Sequence, residues 1–422
     1  MHCRIAILLC AFVGTSAAVS LADEPAPSKR ELSSDEKELI ELVTDMRADR
    51  DQWFEEMDKI KDEKIQNQFY LEKTSSDPFV TRFIAFEKKH RGKRPGLLAI
   101  RQLWRMTGST AESTGAGHDG AIHVLDVLGN YGGFDELPEI LRYVDRCPRA
   151  QVETSLRQLI AAEHTSENNR IYAKLTLARW NLYQRLLRDV IPKVQAKAAA
   201  NEITLPQSTL EYDAKLLAMC VPQERIWDLE REALAILKDL RETAGNSKQY
   251  FIAASDEKYI AIYADRDKPG TLVKDLADGI LFDEVHLRRG QPAPELTVKL
   301  LDGAEFSLAA QQGKTVIIQF SFTGCGPCEA MYPQLKELAE QFPDKVEILT
   351  IMRDEKDEDA KAAIASGKIT WKLCIDGVPG PITTKWAVRG FPTVFVFGPD
   401  GKAASNDDIA DPELRKKIRE VH

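Results

Sequence analysis

Two cysteines, Cys325 and Cys328, enclose Gly326 and Pro327 and stand directly after a nearly continuous apolar run from Thr315 to Phe322. A thiol pair at this spacing supports thiol–disulfide exchange, zinc ligation or a structural disulfide. Zinc requires a second ligand pair at close spacing, and this part of the chain offers only Cys374 and the flanking His286 and His422. Exchange fits the position better. A pair that follows a buried strand and opens a helix places the Cys325 sulfur against unpaired backbone N–H groups and the positive end of the helix dipole. Both favour a thiolate and lower its pKa below that of a free cysteine. Cys328, one turn further on, reaches Cys325 and is the more buried. Exchange needs that asymmetry: an exposed nucleophile, Cys325, attacks a partner disulfide, and a resolving thiol, Cys328, breaks the mixed disulfide. The cysteine pair is then its own redox group, and no cofactor or metal is expected.

The elements that position this pair begin after His286. Gln291-Pro292-Ala293-Pro294 reads as a linker, Leu296 to Leu301 as a β run, and Asp302-Gly303 as a turn. Thr315–Phe322, Val346–Met352 and Thr393–Phe397 read as strands, the last closed by Pro399-Asp400-Gly401, with helices at Glu329–Gln341 and Glu358–Ser366. Alternating helices and fully apolar strands predict a central sheet buried on both faces. Cys374 falls in a further strand, Thr370–Asp376, whose Trp371, Leu373 and Ile375 share one face while Lys372, Cys374 and Asp376 share the other. It reads as a half-buried structural thiol.

With these residues in place, the segment from about Gln291 onward resembles the thioredoxin superfamily, and within it the TlpA-like branch of extracytoplasmic thiol–disulfide oxidoreductases. The resemblance rests on Pro292-Ala293-Pro294, the strand before Cys325-Gly326-Pro327-Cys328, Pro333 five residues after the second cysteine, and Val388-Arg389-Gly390-Phe391-Pro392-Thr393. It implies a cis-proline at Pro392, after Phe391, holding nearby backbone open to pair with an extended substrate. Three residues depart from the family pattern. Gly324 stands where tryptophan usually precedes the first cysteine, Gln319 replaces a buried acid, and Met331 replaces an acidic residue. Gln319 can orient a thiol or water by hydrogen bonding but cannot shuttle a proton. A peroxide-reducing relative would carry threonine three residues before its reactive cysteine, where this chain has Phe322.

The first two thirds read differently. Ser33 followed by Glu36 is a capping-box signature, and Leu39, Val43, Met46, Trp53, Met57 and Ile60 recur at helical spacing. Short amphipathic segments follow: Phe79, Phe83 and Phe86; Leu97, Ile100 and Trp104; Leu137, Ile140, Leu141 and Val144; Ile171, Leu175, Ala178 and Leu182; Ile226, Leu229, Ala233 and Ile236. Gly and Pro residues separate them, as in an all-α helical domain built as a bundle or loose solenoid. Gly115-Ala116-Gly117-His118-Asp119-Gly120 matches GxGxxG but lacks the preceding strand a dinucleotide site needs, so it reads as an interhelical loop. His118 and His123 read as solvated or capping residues. Cys147 and Cys220 could pair across helices, at a distance sequence does not set.

The 422 residues are too many for one core, and the apolar fraction of 43% with 29% charged residues is that of folded domains. A net charge of −9 and a pI near 5.5 argue against nucleic acid as a partner. Arg4, the apolar run Ile5–Val13 and Ser20-Leu21-Ala22 read as a signal peptide over residues 1–22, giving a periplasmic or secreted protein, with an uncleaved membrane tether as the alternative. Residues 23–30 form a tether, 31–285 the helical domain and 286–422 the thioredoxin-like domain. The expected substrates are protein disulfides. The Gly-Pro dipeptide favours reduction, which requires an electron donor, for instance a membrane thiol relay. A disulfide oxidase or isomerase, or a client-binding protein with a weakly active redox domain, are the alternatives.

Overall fold

The protein is described here by a computed structural model covering residues 32–62, 65–66, 77–108, 114–201, 205–249, 252–255, 261–264 and 270–405. The expected signal peptide and tether, and His422, lie outside these residues. The helices of the first part are α1 Ser34–Asp58, α2 Asp77–Lys89, α3 Arg94–Thr107, α4 Gly115–Val127, α5 Leu137–Val144, α6 Gln151–Ala161, α7 Glu167–Ala199, α8 Gln207–Met219 and α9 Ile226–Thr243. Short strands β1 Lys248–Gln249, β2 Ile252–Ser255, β3 Ala261–Ala264 and β4 Thr271–Leu272 follow, then α10 Val273–Phe282. The remainder is β5 Thr297–Lys299, β6 Glu305–Ser307, β7 Thr315–Ser321, α11 Gly326–Glu329, α12 Tyr332–Gln341, β8 Val346–Met352, α13 Asp357–Ala365, β9 Lys372–Ile375, α14 Pro381–Lys385, β10 Thr393–Phe397 and β11 Ala403–Ser405. Among the described residues no helix is long and apolar enough to cross a membrane.

Contacts divide the chain into residues 1–233 with 252–265, and residues 234–251 with 266–422. The second unit thus takes up residues 234–251 and 266–285, which the sequence reading gave to the helical domain. For α10 the reason is local. Gly279 lies so close to α14 that a Cβ there would meet the Thr384 carbonyl oxygen at 2.3 Å, and this approach brings the Phe282 ring to within 6.1 Å of Trp386. Trp386 in turn packs on Phe320, Phe395 and Phe397 of the sheet. Phe282→Ala in the full chain is therefore expected to destabilise the second unit by about 2–3 kcal/mol, below the range for fully buried phenylalanines because the ring is partly exposed. Chemical denaturation measures this, and an unchanged midpoint would remove α10 from the unit's core.

In the first unit Ser33 caps α1 as the sequence predicts. Its Oγ accepts the Glu36 N–H at 3.1 Å and the Glu36 carboxylate accepts the Ser33 N–H at 2.9 Å. The GxGxxG segment is helical, a correction to the expected loop. A Cβ at Gly120 would lie 2.7 Å from Thr107 Cγ2, so this glycine permits close packing of α4 on α3 and does not confer flexibility. His118 and His123 part company: Nδ1 of His118 lies 3.0 Å from Arg149, and Nε2 of His123 lies 2.8 Å from Glu87.

Glu87 is a buried charge held by several hydrogen bonds. Its carboxylate accepts from Tyr131 Oη at 2.8 Å and from Arg91 at 3.0 and 2.9 Å, besides its contact with His123. Burial pushes its pKa up, but the hydrogen bonds from His123, Arg91 and Tyr131, with the Arg91 charge, outweigh burial and bring it down to about 2. A depressed carboxyl pKa contributes stability that is present above the unfolded-state value and is lost as pH falls towards 2. The contribution is about 3 kcal/mol. Glu87→Gln should flatten the wild-type loss of stability between pH 4.5 and 2. Parallel acid-denaturation curves for the two proteins would refute this assignment.

The second unit carries a five-stranded sheet of order β11-β10-β7-β8-β9, in which β7, β8 and β9 are parallel, β10 pairs antiparallel with β7, and β11 pairs antiparallel with β10. All seven residues of β7 are buried. Their side chains alternate between two apolar layers, Val316, Ile318 and Phe320 facing Trp386 and Phe395, and Ile317 facing Leu335 and Leu338 of α12. Burial on both faces is what the continuous apolar run of β7 encodes.

Candidate active site

β7 delivers the cysteine pair to the C-terminal end of the parallel strands. Beyond Ser321 the chain leaves the sheet through a turn in which the Cys325 N–H donates to the Phe322 carbonyl at 3.2 Å, with Gly324 at φ +82°. Asp354, just past β8, fixes this turn by accepting from Thr323 N at 3.0 Å and from Thr323 Oγ1 at 2.9 Å. A positive φ at Gly324 accounts for the missing tryptophan, since a bulky side chain is strained there. The apolar surface at this rim comes from Phe322, which is 39% exposed and meets Phe391 edge to face at 5.4 Å.

Cys325 is the N-cap of α11 and its Sγ accepts the Cys328 N–H at 3.3 Å. The two cysteines form a disulfide with Cα atoms 5.2 Å apart. Cys325 is 3% and Cys328 0% exposed, so Cys325 is not the open thiol of the sequence reading. In this oxidised form its sulfur is tied to that of Cys328 in the core, and the exposed residues are its neighbours Gly324, Gly326 and Pro327. The single helix expected over Glu329–Gln341 is also corrected. It is broken into α11 and α12 because Pro333 has no N–H to bond the Glu329 carbonyl. Only one turn of dipoles faces Cys325, which makes the Cys328 N–H its principal local donor.

Gln319 sits fully buried in β7, in register with Thr350 of β8 and Val394 of β10. Its Nε2 donates to the Cys328 carbonyl at 3.3 Å and its Oε1 accepts from Thr350 Oγ1 at 3.2 Å. Thr350 Oγ1 itself accepts from Trp371 Nε1 at 2.9 Å. The three bonds run in one direction, from indole to hydroxyl to amide to carbonyl. Because the Trp371 N–H occupies the hydroxyl oxygen, the Thr350 proton points at Gln319 Oε1, and the amide of Gln319 is left facing Cys328. Sequence reasoning identified Gln319 but not Thr350, Trp371 or Asp354. A polar residue within the apolar stretch of each strand, Gln319 in β7 and Thr350 in β8, was the available signal for Thr350.

The Phe391–Pro392 peptide bond is cis. Thr393, the first residue of β10, pairs with Phe320, and just before it the Phe391 ring meets Phe322 at the mouth of the cysteine turn. Cys374 lies in the Trp386 layer, the other face of the sheet from α12, and is 1% exposed where the sequence suggested half-burial. Burial, reinforced by the nearby Asp376 charge, pushes its thiol up to about 12.

Residues 289–405 match the AhpC/TSA family. Over 146 residues the chain is 30% identical to the thiol-disulfide oxidoreductase ResA of Bacillus thuringiensis subsp. konkukian, covering 34% of this chain and 83% of that one. The chain belongs to the thioredoxin-like thiol–disulfide oxidoreductases. A second relative, ResA of Bacillus thuringiensis strain Al Hakam, is 32% identical over 128 residues, 30% of this oxidoreductase and 73% of the relative. Among solved structures, the thioredoxin domain of a thiol-disulfide oxidoreductase from Bacteroides vulgatus aligns with a TM-score of 0.29 and 28% identity, over 32% of this chain and 99% of that one. The substrates of such an enzyme are thiols and disulfides of other proteins.

Proposed function

We propose that this oxidoreductase works outside the cytoplasm and reduces protein disulfides, with Cys325 as nucleophile, Cys328 as resolving thiol, and Phe391 and Pro392 aligning the substrate backbone. The observation that carries the reading is the cap geometry of Cys325, whose sulfur receives the Cys328 N–H at the start of α11, three residues after the Phe322 that meets Phe391. In the reduced enzyme that donor favours the Cys325 anion, which attacks one sulfur of a client disulfide and releases the other as a thiolate. Cys328 then attacks Cys325, frees the client as a dithiol and leaves the disulfide seen here. Two electrons pass to the client, and a thiol donor, a membrane relay in this reading, must return them. The Gly326-Pro327 pair between the cysteines supports reduction over oxidation, and Arg4 to Ala22 supports export.

Equilibration of the Cys325/Cys328 couple with a glutathione or dithiothreitol buffer tests the direction. A reductase should lie near the ~−270 mV of thioredoxin, and a value near ~−120 mV would replace the proposal with a disulfide oxidase.

A further inference from the structure

Two more cysteines, whose pairing sequence left open, stand in a frame that the exchange chemistry does not use. Cys147 lies between α5 and α6 and Cys220 directly after α8, and one face of α7 holds both segments. Trp180, Gln184 and Arg188, one turn apart on that helix, make the connections. Trp180 Nε1 donates to the Cys147 carbonyl at 2.9 Å. Gln184 bridges the residues that follow the two cysteines, donating to the Pro148 carbonyl at 3.0 Å and accepting the Val221 N–H at 3.0 Å. Arg188 donates to the carbonyls of Cys220 at 3.3 Å and Val221 at 2.7 Å. The two segments also bond each other directly, Ala150 N–H to the Met219 carbonyl at 3.1 Å. Trp180 and Gln184 are completely buried, so their bonds are not exchanged with water. Both cysteines are free thiols, 1% and 7% exposed.

We propose that Cys147 and Cys220 form a second dithiol–disulfide couple, a redox modification site in the helical unit that is oxidised by disulfide-bearing partners. The more exposed Cys220 reacts first. As a thiolate it attacks a sulfur of the oxidant disulfide, giving a mixed disulfide and one released thiol. Cys147 then attacks the Cys220 sulfur, forming the Cys147–Cys220 bond and releasing the second thiol. The dithiol loses two electrons to the oxidant and its two protons go to solvent or to the released thiolates. An oxidant of this class is small-molecule disulfide or the oxidised Cys325–Cys328 pair of a second copy. The product would staple the α5–α6 connection to the end of α8. Both thiols are pushed up to about 11, chiefly by burial, which makes exchange slow at neutral pH and faster as pH rises.

The test uses the full chain with Cys325→Ser and Cys328→Ser, so that its outcome is independent of the exchange site. The folded protein is held in oxidised glutathione at pH 9 until a reference dithiol is fully oxidised, then alkylated, digested without reduction and mapped. The expected result is joint loss of alkylation at Cys147 and Cys220, with a linked peptide about 2 Da lighter than the sum of its parts, in a monomer. With Cys147→Ser added, Cys220 should instead accumulate the glutathione adduct. Two thiols still free at equilibrium, separate glutathione adducts on each, or linkage that appears only once circular dichroism shows unfolding would overturn the proposal. The first measurement needs neither Cys147 nor Cys220 replaced and stands even where Cys147→Ser fails to fold.

Discussion

Cys328→Ser should trap about one client per chain as a mixed disulfide, Cys325→Ser should trap almost none, and both should lose catalysed insulin reduction down to the buffer rate. The asymmetry follows from where the two sulfurs sit. Cys325 opens α11 between the exposed Gly324 and Gly326, so a client reaches the bond from its side. Cys328 has no exposed surface, and its carbonyl is held by Gln319 from inside the sheet. A client disulfide therefore meets Cys325 first, and without Cys328 the mixed disulfide has no internal thiol to resolve it. The measurement is non-reducing electrophoresis of each variant after expression in an exporting host, with clients identified after reduction. Equal trapping by the two variants, or trapping through Cys325→Ser alone, would reverse the roles assigned here.

The parts of this site that sequence made legible are those with a local signature. The strands Val346–Met352 and Thr393–Phe397 have the bounds read from their apolar runs, and the Ser33–Glu36 cap is the one its spacing encodes. The cysteine pair was evident from type and spacing. The break at Pro333 was missed although proline removes a helix hydrogen bond wherever it stands, because the helical period runs across it. What was not legible depends on register and close approach. That Gln319 lies beside Thr350 follows from the parallel pairing of β7 with β8, which is set by packing of both sheet faces. Gly120 and Gly279 show the same limit: a glycine in sequence signals either freedom or room for a neighbour, and only the neighbour decides. Cys325 was read as exposed because its helix-cap position was evident, and the bond that ties its sulfur to the buried Cys328 removes that exposure in the oxidised form.

Gln319→Glu should convert a single thiol titration into two coupled steps and add to the second unit a loss of stability with rising pH beyond that of the wild type. The substitution keeps the length of the side chain but replaces the amide that donates to the Cys328 carbonyl. At this completely buried position an ionised carboxylate would face that carbonyl oxygen across a hydrogen-bond distance, with Thr350 Oγ1 as its donor among the described residues. A protonated carboxyl, by contrast, donates to Cys328 and accepts from Thr350 much as the amide does. Desolvation and the facing carbonyl both favour the neutral acid, so the pKa of the introduced carboxyl rises in the folded state. The sign for stability follows. A carboxyl whose folded pKa lies above its unfolded value binds more protons when folded, so stability falls as pH climbs from ~4.3 towards the folded pKa, by about 1.4 kcal/mol per unit. Once ionised, the carboxylate raises the cost of forming a thiolate at the neighbouring cysteine pair, and the two groups titrate as a couple. In the reduced wild-type protein the neutral Gln319 has no proton to exchange, and alkylation of Cys325 against pH should follow one transition below the free-cysteine value. Alkylation profiles and urea midpoints between pH 4.5 and 9, on proteins with Cys147, Cys220 and Cys374 replaced by serine, measure both effects. A single transition in a folded Gln319→Glu protein whose urea midpoint does not move with pH would mean that Gln319 lies against water, and the indole-to-carbonyl chain through Thr350 would lose its role in holding Cys328.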